Sequence, residues 1–204
     1  VSVFRRNRRL AISADTVIES GDEVIALSSG RDVRRVIREL RHHEERIRRI
    51  TLAGNARLAV QLADLLNGPE GRRGYTITIV DEDEDLCTQL AASVPPATEL
   101  ITAGLTDEEA LTELCLDRCD LFIALSPRDE NNIMGSLLAK KLGARRVIAL
   151  TDSDTFSELM QGTQIDITVS STQATIGELL RHVRRGDVLA AHSLRRGVAE
   201  ALEI

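Results

Sequence analysis

The sequence predicts an α/β fold built on a doubly wound parallel sheet, and three observations carry that prediction. From residue 50 onward short apolar runs recur as candidate strands at 50–53, 76–80, 99–102, 121–125, 147–151 and 165–169. Helical patterns fall between them, around 56–66, 83–92, 107–116, 129–142 and 154–161, and such alternation implies right-handed βαβ units. The composition agrees. Apolar residues make up 43% of the chain but aromatic ones only 2%, so Leu, Ile, Val and Ala must build the core. Those residues suit strands buried on both faces.

The first βα unit is the most informative. Ile50-Thr51-Leu52-Ala53 reads as a buried strand, and the turn after it carries a nucleotide-binding fingerprint of the form G-x-G-x-x-G. Gly54, Ala56 and Ala59 occupy the three glycine positions. Gly54 suits the tight turn and Ala59 suits helix–strand packing, whereas Ala56 puts a methyl where backbone approaches a pyrophosphate. The pattern therefore supports a Rossmann-like sheet more strongly than it supports a ligand.

Asn67-Gly68-Pro69-Glu70-Gly71-Arg72-Arg73-Gly74 should be an exposed loop between the first helix and the second strand. Asp81 follows that strand, where a carboxylate accepts hydrogen bonds from a ribose diol. Its competing reading is a helix N-cap, since Glu82-Asp83-Glu84-Asp85 follows and acids favour a helix N-terminus. Gly104-Leu105-Thr106-Asp107 comes after the third strand, and Ser126-Pro127-Arg128-Asp129-Glu130 after the fourth. The latter also reads as a plain turn and cap, with Asn131-Asn132 starting the next helix. In that helix Ile133, Met134, Leu137, Leu138 and Lys141 fall at helical spacing, a stripe expected to pack on the sheet with room for part of it to meet another subunit. Arg57 is expected near the phosphate turn, either offering a cation to an anion or filling the space itself.

The flanks read differently. Within residues 1–28, Val1-Ser2-Val3-Phe4 and Leu10-Ala11-Ile12 flank a basic turn, and Thr16-Val17-Ile18 and Glu23 to Leu27 flank Glu19-Ser20-Gly21-Asp22. So small a sheet cannot bury a core alone and is expected to be the end of a preceding subdomain. Val33, Val36, Ile37 and Leu40 give a helical stripe opposed by arginines, either a solvated linker helix or a basic patch. His42 and His43 lack the partners a metal site needs. Beyond the sheet, residues 172–185 read as a helix and Val188 to Leu194 as a strand. Ile176, Leu179, Leu180 and Val183 make a stripe expected to cross to a partner subunit. The division expected is 1–45 (end of a first subdomain plus linker helix), 46–170 (the Rossmann-like sheet) and 171–204 (crossover helix and start of a second subdomain).

Several function classes are disfavoured. A formal charge of −6 argues against nonspecific nucleic-acid binding over the whole surface. No apolar run approaches the ~18 residues of a membrane span. Cys87, Cys115 and Cys119 are too few and irregular for a disulfide framework or a zinc site. Tyr75 is the only tyrosine, so no Tyr-x-x-x-Lys pair exists, and no Walker loop is present. Nothing is arranged as a catalytic constellation. An NAD-dependent oxidoreductase on the same half-fold is the competing class.

The run from Ala124 to Met134, continuing through Leu137-Leu138-Ala139-Lys140-Lys141-Leu142-Gly143-Ala144, resembles the RCK (KTN) domain family of potassium-uptake regulators. So do Leu179 to Val188 and His192 to Ala201, and Asp15 to Val24 is similar to the end of the small subdomain that follows an RCK sheet. The resemblance implies a non-catalytic cytoplasmic subunit, peripheral on the inner membrane face through its partner, a membrane potassium channel subunit. It also implies homo-oligomers, dimers building a ring, and nucleotide-linked gating by NAD(H), ATP or ADP. Carried over by position, the nucleotide contacts are Gly54, Asn55, Ala56, Arg57, Leu58, Asp81, Ser126 and Pro127. The chain is then expected to be part of a longer protein centred on a second RCK repeat. An RCK regulator of another cation transporter or antiporter is the neighbouring reading. Ala56, Arg57, the Gly104-Leu105 pair and Ala149 depart from the family pattern at positions that serve nucleotide.

Overall fold

In the computed structural model the chain divides into two compact units, Val1–Arg46 and Ile47–Ile204. The residues described are 2–5, 8–19, 21–26, 28–29, 31–32, 35–36, 46–68, 74–153, 160, 163–183, 190–194 and 199–203. The expected helices at 31–41 and 154–161, and the His42-His43 pair, lie mainly or wholly outside them.

The first unit holds a three-stranded antiparallel sheet in the order β2-β1-β3, made of β1 (Ser2–Arg5), β2 (Arg8–Arg9) and β3 (Glu23–Ile25). Two expectations fail here. The second strand falls at Arg8–Arg9 and not at Leu10–Ile12, and Thr16-Val17-Ile18 is not a strand. The Arg5 side chain accounts for the latter. It donates to the Val17 carbonyl, to Glu19 and to both carboxylate oxygens of Asp22, so this segment wraps a guanidinium where it was expected to pair along a ladder.

Hydrogen bonds from Arg5 and from the Glu19 N–H hold the Asp22 carboxyl at about 2, below its ordinary 3.8. The folded pKa is the depressed one. The stability it contributes is therefore complete above the unfolded value and is lost as pH falls from about 4 to about 2. Thermal unfolding measured across that window should show a decline that Arg5→Gln removes.

The second unit is a six-stranded, wholly parallel sheet in the order β6-β5-β4-β7-β8-β9. Its strands are β4 (Arg49–Ala53), β5 (Thr76–Asp81), β6 (Thr98–Thr102), β7 (Leu121–Ala124), β8 (Val147–Thr151) and β9 (Ile167–Ser170). That order is the doubly wound one, with the chain reversing direction between β4 and β7. Helices α1 (Ala56–Asn67) and α2 (Glu84–Leu90) pack with Ile50, Leu52, Ile77 and Ile79 on one face. Helices α3 (Glu108–Glu113) and α4 (Asp129–Lys141) pack with Ala53, Val80, Phe122 and Ala124 on the other.

α1 approaches the sheet closely because its buried face is Ala56, Ala59, Val60 and Ala63. Asn67 at its end pairs its amide with both backbone groups of Tyr75, pinching the base of the loop that follows. α3 is shorter than its pattern predicts. It stops at Glu113, and Cys115 at φ 51 turns the chain into a single 3-10 turn, Leu116–Arg118.

In α4 the expected stripe packs on the core through Ile133, Leu137 and Leu138, but Met134 does not and the most buried positions are others. The helix's fully buried positions are Asn132, Gly135, Ser136 and Ala139, while Ile133, Leu137 and Leu138 are partly buried beside them and Met134 is exposed. The side facing the sheet is small and polar because Leu105 is already there. A Cβ on Gly135 would lie 2.6 Å from the Leu105 side chain.

α5 (Ser171–Val183) leads to an antiparallel hairpin of β10 (Ala190–Leu194) and β11 (Ala199–Glu203), the second of which the sequence pattern did not indicate. No helix among the described residues is long and apolar enough to cross a membrane.

Candidate functional site: the crevice at the strand ends

The carboxyl ends of β4, β5 and β7 meet at the reversal point of the sheet, where open α/β folds take their ligands. The turn after β4 starts at Gly54, whose N–H donates to the Val80 carbonyl at 2.8 Å. Its φ of +100° is a conformation that disfavours L side chains. Space forbids one as well, since a Cβ there would lie 2.9 Å from the Ser126 nitrogen and 3.0 Å from Leu105.

Asn55 caps α1 by accepting from the Leu58 N–H at 3.1 Å. Ala56 is fully buried, Arg57 is exposed, and Leu58 is 38% exposed at the rim.

Asp81 is brought to this turn. It is buried, and Oδ2 accepts the Ala56 N–H at 2.6 Å while Oδ1 accepts the Asp83 N–H at 3.0 Å. It is thus not the N-cap of the helix that follows it; Asp83 caps α2 by accepting from the Leu86 N–H. Asp81 instead supplies an anion to the N-terminus of α1, where the helix dipole and unpaired N–H groups favour one.

Opposite, Ser126 is buried and Pro127 exposed. Asn132, one turn into α4, was read from sequence only as part of a helix start, yet it fixes this loop. It accepts the Ser126 N–H at 2.7 Å and donates to the carbonyls of Ser126 at 2.7 Å and Leu150 at 2.9 Å. Asp129 ties the same helix end to β8, accepting from Thr151 Oγ1 and from the N–H groups of Asp152 and Ser153. The signal available in the sequence was spacing: Asn132 shares a helical face with Gly135, Ser136 and Ala139. Glu82 and Arg128 form an exposed 3.9 Å ion pair between the loops after β5 and β7, a contact of little energetic weight.

All eight expected site residues thus lie at one end of the sheet. A family model described as the TrkA-N domain matches residues 50–171, which span this sheet and crevice.

The chain belongs to the TrkA-N domain family.

This TrkA-N chain is 42% identical over 99% of its length to the Trk system potassium uptake protein TrkA of Halomonas elongata. It is 36% identical, again over 99%, to the protein of that name from Vibrio alginolyticus. The chain spans about 43% of the length of these curated relatives. Among solved structures, a GsuK channel bound to NAD superposes with a TM-score of 0.54 at 18% identity, over 79% of this chain and 29% of that one. That likeness shows the fold.

The crevice of the TrkA-N domain fits a nucleotide unevenly. Each Asp81 oxygen takes one N–H, which leaves lone pairs for hydroxyl donors such as a ribose diol. The phosphate position is less open. Ala56 N–H is held by Asp81 and Leu58 N–H by Asn55, so Arg57 N–H alone of the first three in α1 lacks a partner among the described residues.

Proposed function

We propose that this chain is part of a non-catalytic regulatory subunit that controls a membrane potassium uptake channel, with nucleotide binding at the crevice shifting its conformation. The observation that carries the reading is the convergence of Gly54, Asp81 and Ser126 at the reversal point of a TrkA-N sheet. Gly54 to Leu58 would face the phosphates, Asp81 the ribose, and Ser126-Pro127 the far side of NAD(H), ATP or ADP. A nucleotide regulates only through unequal affinity for two conformations. The elements able to differ are the turn after β4 and the loop after β7, which touch through Gly54 and Ser126.

Homo-oligomers peripheral to the cytoplasmic membrane face belong to the same proposal. Ile176 and Leu179 on α5 support it, being 43% and 58% exposed. The proposed boundaries remain 1–45, 46–170 and 171–204.

A second reading is favoured by one bond. The Asp81 carboxylate already sits on the N-terminus of α1, which suits a half-domain that assembles without nucleotide. Calorimetric titration with NADH, NAD, ATP and ADP decides between them. Under the first reading one of these binds, Arg57→Glu at the exposed rim weakens it about tenfold by charge reversal, and Asp81→Ala abolishes it. Heat from none of the four in the folded chain supports the assembly reading.

A further inference from the structure

At the opposite end of the same strands lies a second concavity, a cavity of about 190 Å³ between the start of β4 and β5 and the 3-10 turn after α3. We propose that it is a binding site for a phosphoryl group. Its charged walls are Arg49 and Arg118, and among the described residues no carboxylate lines it, although the chain as a whole is acidic at −6.

The two guanidiniums come from different elements. Neither has a hydrogen bond or ion pair with the described residues. Asp120, the nearest acid with shown partners, is engaged mainly by backbone and by Arg145, although the Arg49 charge also acts on it. Asp120 accepts the N–H groups of Arg48 and Arg49 and pairs with Arg145 at 3.4 Å. Burial opposes its ionisation, but those N–H groups and the Arg145 and Arg49 charges outweigh it and lower its pKa.

The floor is polar where a doubly wound sheet is ordinarily apolar. Thr51 and Thr78 are register partners on the two neighbouring strands. Both line the cavity, and Thr51 is 5% exposed. α3 ends at Glu113, and the turn that follows it brings Cys115, Arg118 and Cys119 to the cavity beside the threonines. Thr51 Oγ1 is in contact with Cys119 Sγ at 3.3 Å, and the two guanidiniums lining the same cavity supply the charge-assisted donors that a phosphate takes several of at once.

The cavity carries its own reporter. Cys115 lines it and is exposed, while Cys87 and Cys119 are buried with their thiols pushed up by that burial. Iodoacetamide should therefore modify Cys115 selectively. The experiment follows Cys115 alkylation and calorimetric binding with inorganic phosphate and, separately, glycerol 3-phosphate.

Expected is severalfold slowing of alkylation by at least one of the two. Affinity should fall about tenfold in Arg118→Gln and again in Arg49→Gln. Stronger protection by inorganic phosphate identifies the free ion, and by glycerol 3-phosphate a phosphate monoester. Unchanged alkylation with both ligands, or binding indifferent to both arginine substitutions in folded variants, overturns the proposal. Binding lost in Arg57→Glu alone assigns the anion to the crevice and overturns it too. Nucleotide binding at the crevice is read separately by its own titration, so failure of one proposal leaves the other measurable.

Discussion

Asn132→Leu is expected to destabilise the second unit by about 4 kcal/mol, read as a lower urea midpoint with an unchanged slope. The asparagine is 1% exposed and makes three short hydrogen bonds to backbone. Leucine has the same branched side-chain skeleton, though it is bulkier, and gains roughly 2 kcal/mol from its own burial. It leaves the Ser126 N–H, the Ser126 carbonyl and the Leu150 carbonyl without their partner, each at about 1–3 kcal/mol, and the three together outweigh the gain. Asn132→Asp is a sharper probe of the same clamp. It keeps an acceptor for Ser126 N–H but turns an anion toward two carbonyl oxygens, so it should be at least as harmful near neutral pH. A loss below about 1 kcal/mol in both would mean that water replaces the asparagine and that the clamp does not hold the loop.

Gly54→Ala is expected to cost about 3 kcal/mol and to remove any nucleotide binding at the crevice. Part of the cost is conformational, about 1–2 kcal/mol for an L side chain at a left-handed φ, here +100°. The remainder is steric, since the added methyl meets Ser126 and Leu105 at 2.9–3.0 Å and overpacking of this kind costs about 1–3 kcal/mol. Gly74 is the internal control: its φ is +115° but nothing lies within 4 Å of an added Cβ. Gly74→Ala should therefore show the conformational part alone. Equal losses at the two glycines, measured by the same urea unfolding, would show that Gly54 is not pressed against the loop after β7.

The periodic elements were legible because their signals are local. Apolar runs such as Ile77 to Val80, and the Gly54 turn, announce a parallel strand and its crossover without knowledge of neighbours. Every strand of the central sheet lies within two residues of its expected place. The failures fall where a side chain from elsewhere in the chain decides. Thr16-Val17-Ile18 has strand propensity, but Arg5 claims the Val17 carbonyl. The leucines of α4 do pack against the core, but the residues most deeply buried beside them are small, and Leu105 requires Gly135 there.

The candidate crevice divides in the same way. Its eight residues could be placed on strand ends and turns from sequence, because βα units put such turns at one edge of the sheet. Their partners could not. That Asp81 reaches Ala56 N–H rather than capping its own following helix depends on the parallel pairing of β4 with β5, which sets the two segments side by side. That Asn132 holds Ser126 and Leu150 depends on how closely α4 settles between β7 and β8.

By itself the sequence determined the fold class, the strand order's repeating unit and the end of the sheet where a ligand would enter, since periodicity and turn chemistry act over a few residues. Only the tertiary structure decided that an internal carboxylate occupies the N-terminal end of α1 and that Asn132 anchors α4 beside its leucines. It also decided that two arginines far apart in sequence share a cavity at the other end. Hydrogen bonds and charges between distant segments exist only once the chain has closed, and their geometry is set by packing rather than by any local preference.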